Sequence, residues 1–375
     1  MLMSHLTDRI TDLHRNRFAL LKEKSRPKIG WISIYTPEEI LYAAGLIPYR
    51  ITGETRTDTS KAGGYMHRNI CSYVLSCLEE ALDGEHDFCA GVLMVNACDG
   101  RRRLYDVWRY FLKTPFVHLV DLPKSSDSAA KIYYVQEFRH LINTLEREFR
   151  VRISDDALGE AIALCNETRT LLQRLYALRK QENPPISGSE AINIVKSGMT
   201  GLKKAFNREL SELLTLLREI PHRAKNGNRH RVLICGSYFD QTEISEIIEQ
   251  TGAVIVCEDI SNGVKYFEGQ VRTDGDPVEA LGEYYMEKAT CARMVDSEKR
   301  FDHLWALVQE YGVQSVIYLS LKFCDTNMLD FPYIRQRLSE KGVPVLFLEP
   351  ERTGTNIGQI STRIEAFMET RVNMF

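Results

Sequence analysis

Val92-Leu93-Met94-Val95-Asn96-Ala97-Cys98-Asp99-Gly100-Arg101-Arg102-Arg103-Leu104-Tyr105-Asp106-Val107-Trp108 opens as an apolar run and closes as an amphipathic helix. The spacing predicts a buried strand over 88–95, a turn at Cys98-Asp99 and a helix over 100–112. A second stretch repeats the pattern. Val316-Ile317-Tyr318-Leu319-Ser320-Leu321-Lys322-Phe323-Cys324-Asp325 leads into Thr326-Asn327-Met328-Leu329-Asp330-Phe331-Pro332-Tyr333-Ile334, a strand over 314–321 and a helix over 326–341. Asp is a favoured N-cap, so each thiol is expected beside a helix start. Exposed amide N–H groups and the helix dipole favour an anion there and make thiolate available. A thiolate is a nucleophile or a metal ligand. Two such sites in related settings, far apart in sequence, argue for one shared metal over two nucleophiles.

The alternation extends outward on both sides. Residues 7–24 read as a leading helix and 28–35 as a strand. Thr36-Pro37-Glu38-Glu39 reads as a helix start, with a capping Thr, Pro at the first position and acids in the first turn. That helix stops at Gly45, 46–51 returns as extended chain, 52–64 is a surface loop, 69–82 a helix and 115–120 a strand. From Ser125 to Pro221 the strand signal vanishes: 128–150, 154–180, 187–196 and 202–220 all show helical spacing. Two of these begin with Ser-Asp-Asp and Ser-Gly-Ser-Glu, which suit caps. The basic run from His222 to Arg231 reads as a solvated hinge rather than an anion site. Strands then return at 232–236, 253–257, 314–321 and 343–348, with helices at 241–250, 277–288, 297–311, 326–341 and 358–370. The expected fold class is α/β: two Rossmann-like (flavodoxin-like) parallel-sheet domains, 1–125 and 226–375, joined by a helical connecting region, 126–225. Ligands of open α/β sheets gather at the carboxyl ends of strands, where both Cys-Asp turns fall. A cleft between the halves would bring them together.

Composition narrows the class. The chain has 375 residues, 44% hydrophobic and 26% charged, which predicts a soluble globular protein. A net charge of −3 offers no basic field for nucleic acid. The opening MLMSHLTDRI lacks a signal-peptide pattern, and no apolar run reaches membrane-spanning length. Nine cysteines, an odd number without CxxC pairs, suit a reducing cytoplasm rather than a disulfide framework. There is no GxxxxGK[ST], HExxH or GxSxG, and Gly236 lacks the partners of a GxGxxG loop. Any metal site must be assembled from distant residues.

Cys71 opens a helix after His67-Arg68-Asn69-Ile70 and joins Cys98 and Cys324 as a candidate ligand. Cys77, six residues on, falls on another helix face and reads as packing. Cys89, Cys235 and Cys257 read as buried strand residues and Cys165 as structural. Cys291, in Thr290-Cys291-Ala292-Arg293-Met294, is a loop cysteine held in reserve. Three thiolates suit a cubane iron–sulfur cluster with one open iron, or zinc with a water. The residues alone leave both open.

Taken in order, Tyr35-Thr36-Pro37-Glu38-Glu39-Ile40 with Ala43-Ala44-Gly45, Cys71-Ser72-Tyr73-Val74-Leu75-Ser76-Cys77-Leu78-Glu79, Ala97-Cys98-Asp99, Lys322-Phe323-Cys324-Asp325 and Thr362-Arg363-Ile364-Glu365-Ala366-Phe367 span nearly the whole chain. This set resembles the 2-hydroxyacyl-CoA dehydratase and benzoyl-CoA reductase family, and within it the smaller, β-type (D-component) subunit. The resemblance implies a [4Fe-4S] cluster held by Cys71, Cys98 and Cys324. It implies an iron–sulfur subunit of a radical dehydratase, a lyase of anaerobic metabolism. One electron added to the thioester carbonyl gives a ketyl radical, which expels the 2-hydroxyl and renders the β-proton acidic. The implied partners are a larger homologous subunit that carries the acyl-CoA substrate and an ATP-hydrolysing iron–sulfur activator, in keeping with the missing P-loop. The alternatives are an aromatic acyl-CoA reductase subunit, a double-cubane reductase, and a non-enzymatic iron–sulfur scaffold or zinc-stabilised interaction protein. Against the double cubane, Cys257 is out of step with the expected extra ligand and position 261 is Ser. Arg101-Arg102-Arg103 reads as a solvated helix face, with raising the cluster potential or meeting an anionic partner as the alternatives. His67 and His118 read as ordinary hydrogen-bonded histidines, and no general base is assigned.

Overall fold

The computed structural model describes residues 2–219, 229–288, 291–352 and 356–372. The apolar runs form strands β1 (Lys28–Ile32), β2 (Ile47–Arg50), β3 (Gly91–Val95), β4 (Phe116–Val120), β5 (Arg231–Gly236), β6 (Val254–Asp259), β7 (Ser315–Leu319) and β8 (Val345–Leu348). They build two four-stranded sheets, ordered β2-β1-β3-β4 and β6-β5-β7-β8, with every pairing parallel. The two orders are the same, so the expected pair of Rossmann-like halves is present. β1, β3 and β7 are buried along their whole length, whereas the edge strands β4 and β8 are half-buried. Burial on both faces explains why the inner strands read as continuous rather than alternating apolar runs.

The long helices Ser128–Phe149, Asp155–Leu178, Gly188–Ser197 and Lys203–Glu219 lie where helical spacing placed them. Ser154 Oγ accepts from the Ala157 N–H at 3.2 Å, and Ser187 forms a full capping box with Glu190. The leading helix is two pieces, Leu2–Arg15 and Arg17–Lys22, divided at Asn16. Most of the hinge run, 222–228, lies outside the described residues, as does Thr290. Of its remainder, Arg231 begins β5.

Thr36 does not cap the next helix: the N-cap is Pro37, and the helix, Glu38–Ala43, has no side-chain cap. A six-residue helix is not stable alone. Tertiary ion pairs hold it instead. Buried Glu38 faces Lys203 at 3.1 Å and accepts from Tyr266 Oη at 3.0 Å. Buried Glu39 pairs with Arg169 and accepts from Tyr285 Oη at 2.9 Å. These acids therefore tie the first sheet to the helical region and to the C-terminal half. The helix Pro277–Glu287 makes the same connection through apolar contact. Its Val278, Leu281 and Tyr285 share one core with Leu93, Tyr134 and Phe138.

At the end of β6, Asp259 meets Lys265 Nζ at 2.7 Å and His303 Nε2 at 3.1 Å, while His303 Nδ1 faces Glu268 at 3.3 Å. Burial lowers the His303 pKa, but the two carboxylates outweigh it and raise the value to about 9. A raised histidine adds stability that is full below its ordinary 6.5 and is lost as pH rises through about 9. His303→Gln is expected to lose on the order of 2 kcal/mol at pH 6 and much less at pH 10, read by denaturant unfolding. A pH-independent loss would contradict this.

Candidate functional site

β3 and β7 occupy equivalent places in the two sheets, and each runs at its carboxyl end into a cysteine. Cys98 is the N-cap of helix Asp99–Phe111 and Cys324 that of helix Asp325–Glu340. Cys71 is the N-cap of helix Ser72–Leu82. The expected Asp caps are thus displaced: Asp99 and Asp325 are the first helical residues, and the thiols themselves take the capping position. None of the three makes a full side-chain capping bond, although the Val74 N–H bears on Cys71 and the Arg101 N–H on Cys98.

Two of the thiols act on the third. Burial, followed by the charges of Cys324 and Cys98, pushes the Cys71 thiol up to about 12. Burial also pushes Cys98 up, but the charges of Arg293 and Arg101, the Arg101 N–H and a hydrogen bond from Arg293 bring it below the ordinary thiol value. Buried Cys324 shares an apolar cluster with Tyr238 and Leu321 from its own half and Tyr73 and Val74 from the other, and partly buried Cys71 packs against it. Gly100 helps the first two turns approach: a Cβ there would stand 3.3 Å from Ile70 Cγ2 and 3.5 Å from Val74 Cγ2. Gly236 does the same for the third. Its φ is +120°, and a Cβ would stand 2.1 Å from the Leu319 carbonyl oxygen. The following Ser237 Oγ accepts from the Leu321 N–H at 3.2 Å, within the turn that ends at Cys324.

Several supporting residues were not read from the sequence. Asn327 Nδ2 donates to Cys324 Sγ at 3.1 Å, and Tyr318 Oη donates to Asn327 Oδ1 at 3.3 Å. Lys124 Nζ donates to the carbonyls of Asn96 at 2.6 Å and Ala97 at 3.1 Å, fixing the turn before Cys98. Arg293 carries its charge to Cys98, Cys291 and Cys324. Asn327, three residues after Cys324 on the same helix face, was the one legible signal.

The arginine run divides. Arg101 is buried with Leu104 and Trp108, whereas Arg103 is exposed and pairs with Asp99 and Asp106. Cys77, Cys165, Cys235 and Cys257 are buried apolar residues. Cys89 is buried too, in the turn before β3 rather than in the strand. His67 accepts from the Asn69 N–H at 3.1 Å in an exposed turn. His118 lies mid-strand in β4, stacked on Phe116, and burial with neighbouring His140 lowers it to about 4. Among the described residues, no group of three or more His, Cys, Asp or Glu is placed to hold a metal ion, and no helix is long and apolar enough to cross a membrane.

Paired parallel sheets with cysteine N-caps following equivalent strands define an α/β protein of two similar halves. The chain belongs to the family described as 2-hydroxyglutaryl-CoA dehydratase, D-component, which matches residues 33–370. It is 26% identical over 352 residues to the (R)-phenyllactyl-CoA dehydratase beta subunit of Clostridium sporogenes, covering 93% of each chain. It is 28% identical over 340 residues to a benzoyl-CoA reductase subunit of Thauera aromatica, covering 88% of each. It is 25% identical over 353 residues to the beta subunit of lactoyl-CoA dehydratase of Anaerotignum propionicum, covering 92% of each.

Proposed function

We propose that this chain is the iron–sulfur subunit of a radical 2-hydroxyacyl-CoA dehydratase and that Cys71, Cys98 and Cys324 hold its [4Fe-4S] cluster. The observation that carries the reading is that Cys98 and Cys324, helix N-caps from opposite halves of the molecule, both bear on the third N-cap cysteine, Cys71. The charges of Cys324 and Cys98 both bear on the Cys71 thiol, which puts the three within electrostatic reach of one another. Three soft thiolates are the donor chemistry of a [4Fe-4S] cluster with one open iron, which supports this reading. When bound, such a cluster supplies one-electron transfer at low potential.

The chain's own residues do the rest. Each thiol sits at a helix N-terminus, whose dipole favours negative charge there. Asn327 orients Cys324, and Lys124 holds the turn that presents Cys98. Tyr238 and Leu321, with partly buried Ile70, pack with Cys71 and Cys324 in one apolar cluster. Beside the Cys324 turn, Leu329 is 80% exposed and Phe323 and Met328 are also exposed. This apolar rim suits cover by a larger homologous subunit, and the relatives named as beta subunits imply such a companion. An activator that hydrolyses ATP would deliver the electron, and the cytoplasm suits free thiols.

The 28% identity to the benzoyl-CoA reductase subunit of Thauera aromatica supports a second reading, an aromatic acyl-CoA reductase subunit. Relatives of similar identity carry phenyllactyl-CoA and lactoyl-CoA in their names, so the acyl group is left open. The test is anaerobic assay of the chain with its larger partner and activator against a panel of 2-hydroxyacyl-CoA esters and benzoyl-CoA. Dehydration supports the first reading, dearomatisation the second, and neither contradicts both.

A further inference from the structure

Arg293 sits on the turn Cys291–Met294, where the Met294 N–H donates to the Cys291 carbonyl at 2.9 Å. Its Nη1 stands 3.6 Å from Cys291 Sγ, and its charge also acts on Cys98 and Cys324. One cation therefore serves thiols from both sheets. Its Nε is buried and has no acceptor among the described residues. A guanidinium N–H left unpaired inside a protein is costly unless an anion takes that space.

The turn is not free to move away. Arg300 Nη1 donates to the carbonyls of Cys291 at 3.3 Å and Met294 at 3.0 Å. Arg300 Nε meets both oxygens of buried Asp330, at 3.0 and 3.1 Å. Asp330 belongs to the helix that Cys324 opens. The Arg300–Asp330 pair thus pins the turn carrying Arg293 to the element carrying one of the three candidate ligands. Arg293 is distinct from the Arg101–Arg103 run, which lies on the N-terminal half.

We infer that Arg293 is a positioning charge of the three-thiol centre, offsetting the negative charge of the thiolate-held cluster and raising the potential at which it accepts an electron. This rests on the reading that the thiols hold an iron–sulfur cluster. Each electron added makes that centre more negative, so a fixed cation stabilises the reduced form more than the oxidised one. The low dielectric around the buried Arg293 Nε strengthens the effect.

The test is an anaerobic dithionite titration, followed by EPR, of the wild type, Arg293→Gln and Arg293→Lys, with iron and sulfide measured on each. Arg293→Gln is expected to keep its iron and shift to a lower midpoint. At the wild-type midpoint its reduced-to-oxidised ratio falls about tenfold, which for one electron is about 59 mV. Arg293→Lys restores most of that shift. Loss of iron from Arg293→Gln with retention in Arg293→Lys also supports a charge requirement. Loss from both, or one midpoint shared by all three proteins, overturns the inference while the cluster reading stands. A wild type without iron overturns the cluster reading itself.

Discussion

Cys98→Ser is expected to leave the protein folded and to strip it of most of its iron. Serine is a preferred N-cap, so the exchange supplies the start of helix Asp99–Phe111 with a better hydrogen-bond acceptor than the thiol it removes. It also removes the sulfur that two arginines hold toward thiolate. Loss of an outer-shell partner costs about 10–100-fold in metal affinity, so loss of a direct ligand should exceed about a hundredfold. Cys77→Ser makes the matched control. Cys77 is buried in the apolar cluster behind Cys71, and burial pushes its thiol well up, away from thiolate. A hydroxyl placed there without a partner costs about 1–3 kcal/mol. Cys77→Ser should therefore keep its iron and lose stability, while Cys98→Ser does the reverse. Iron and sulfide per chain, with thermal unfolding of both variants, decide it. Equal iron in the two would contradict the ligand assignment.

Arg169→Ala is expected to destabilise the fold by about 3–5 kcal/mol, because it leaves a buried carboxylate without its cation. Arg169 pairs with Glu39, donates to Asn166 Oδ1 at 2.9 Å and lies 4.3 Å over the Tyr284 ring. Glu39 is fully buried, and without Arg169 the Tyr285 hydroxyl is its remaining side-chain partner. The loss should depend on pH. Burial raises the Glu39 carboxyl, but Arg169, the Glu39 N–H and Tyr285 bring it below its ordinary 4.5. A depressed carboxyl contributes stability that is present above 4.5 and is lost as pH falls through its folded value. The variant's deficit should accordingly be largest near neutrality and shrink in acid, as the orphaned carboxylate takes up a proton. Urea unfolding at several pH values measures both features. A deficit below about 1 kcal/mol, in the range of an exposed pair, would contradict the role given to this contact.

What the chain discloses of this architecture follows physical locality. The inner strands were legible because parallel strands covered on both faces need unbroken apolar runs, as in Val92–Val95 and Val316–Leu319. Helix starts were legible at Ser154 and Ser187, where side-chain oxygens cap the next turn. The caps at Cys98 and Cys324 were displaced by one residue, because a thiol is not among the residues that cap by hydrogen bonding and Asp is. The split of the arginine run had a signal that went unread. Arg101, Leu104 and Trp108 recur at helical spacing and share the buried face. Arg293 offered none, because its partners come from distant segments and meet only in the fold. The same holds for Glu38 and Glu39, read as first-turn acids and found to be the interior halves of ion pairs with distant helices. Pairing across such sequence distances leaves no periodicity.

Metal analysis of the anaerobically purified wild type decides whether Cys71, Cys98 and Cys324 together hold one iron–sulfur cube. The expected result is a brown protein with about four irons and as many sulfides per chain, and an EPR signal on reduction. Stoichiometric zinc, or colourless protein without iron after anaerobic reconstitution, would contradict it.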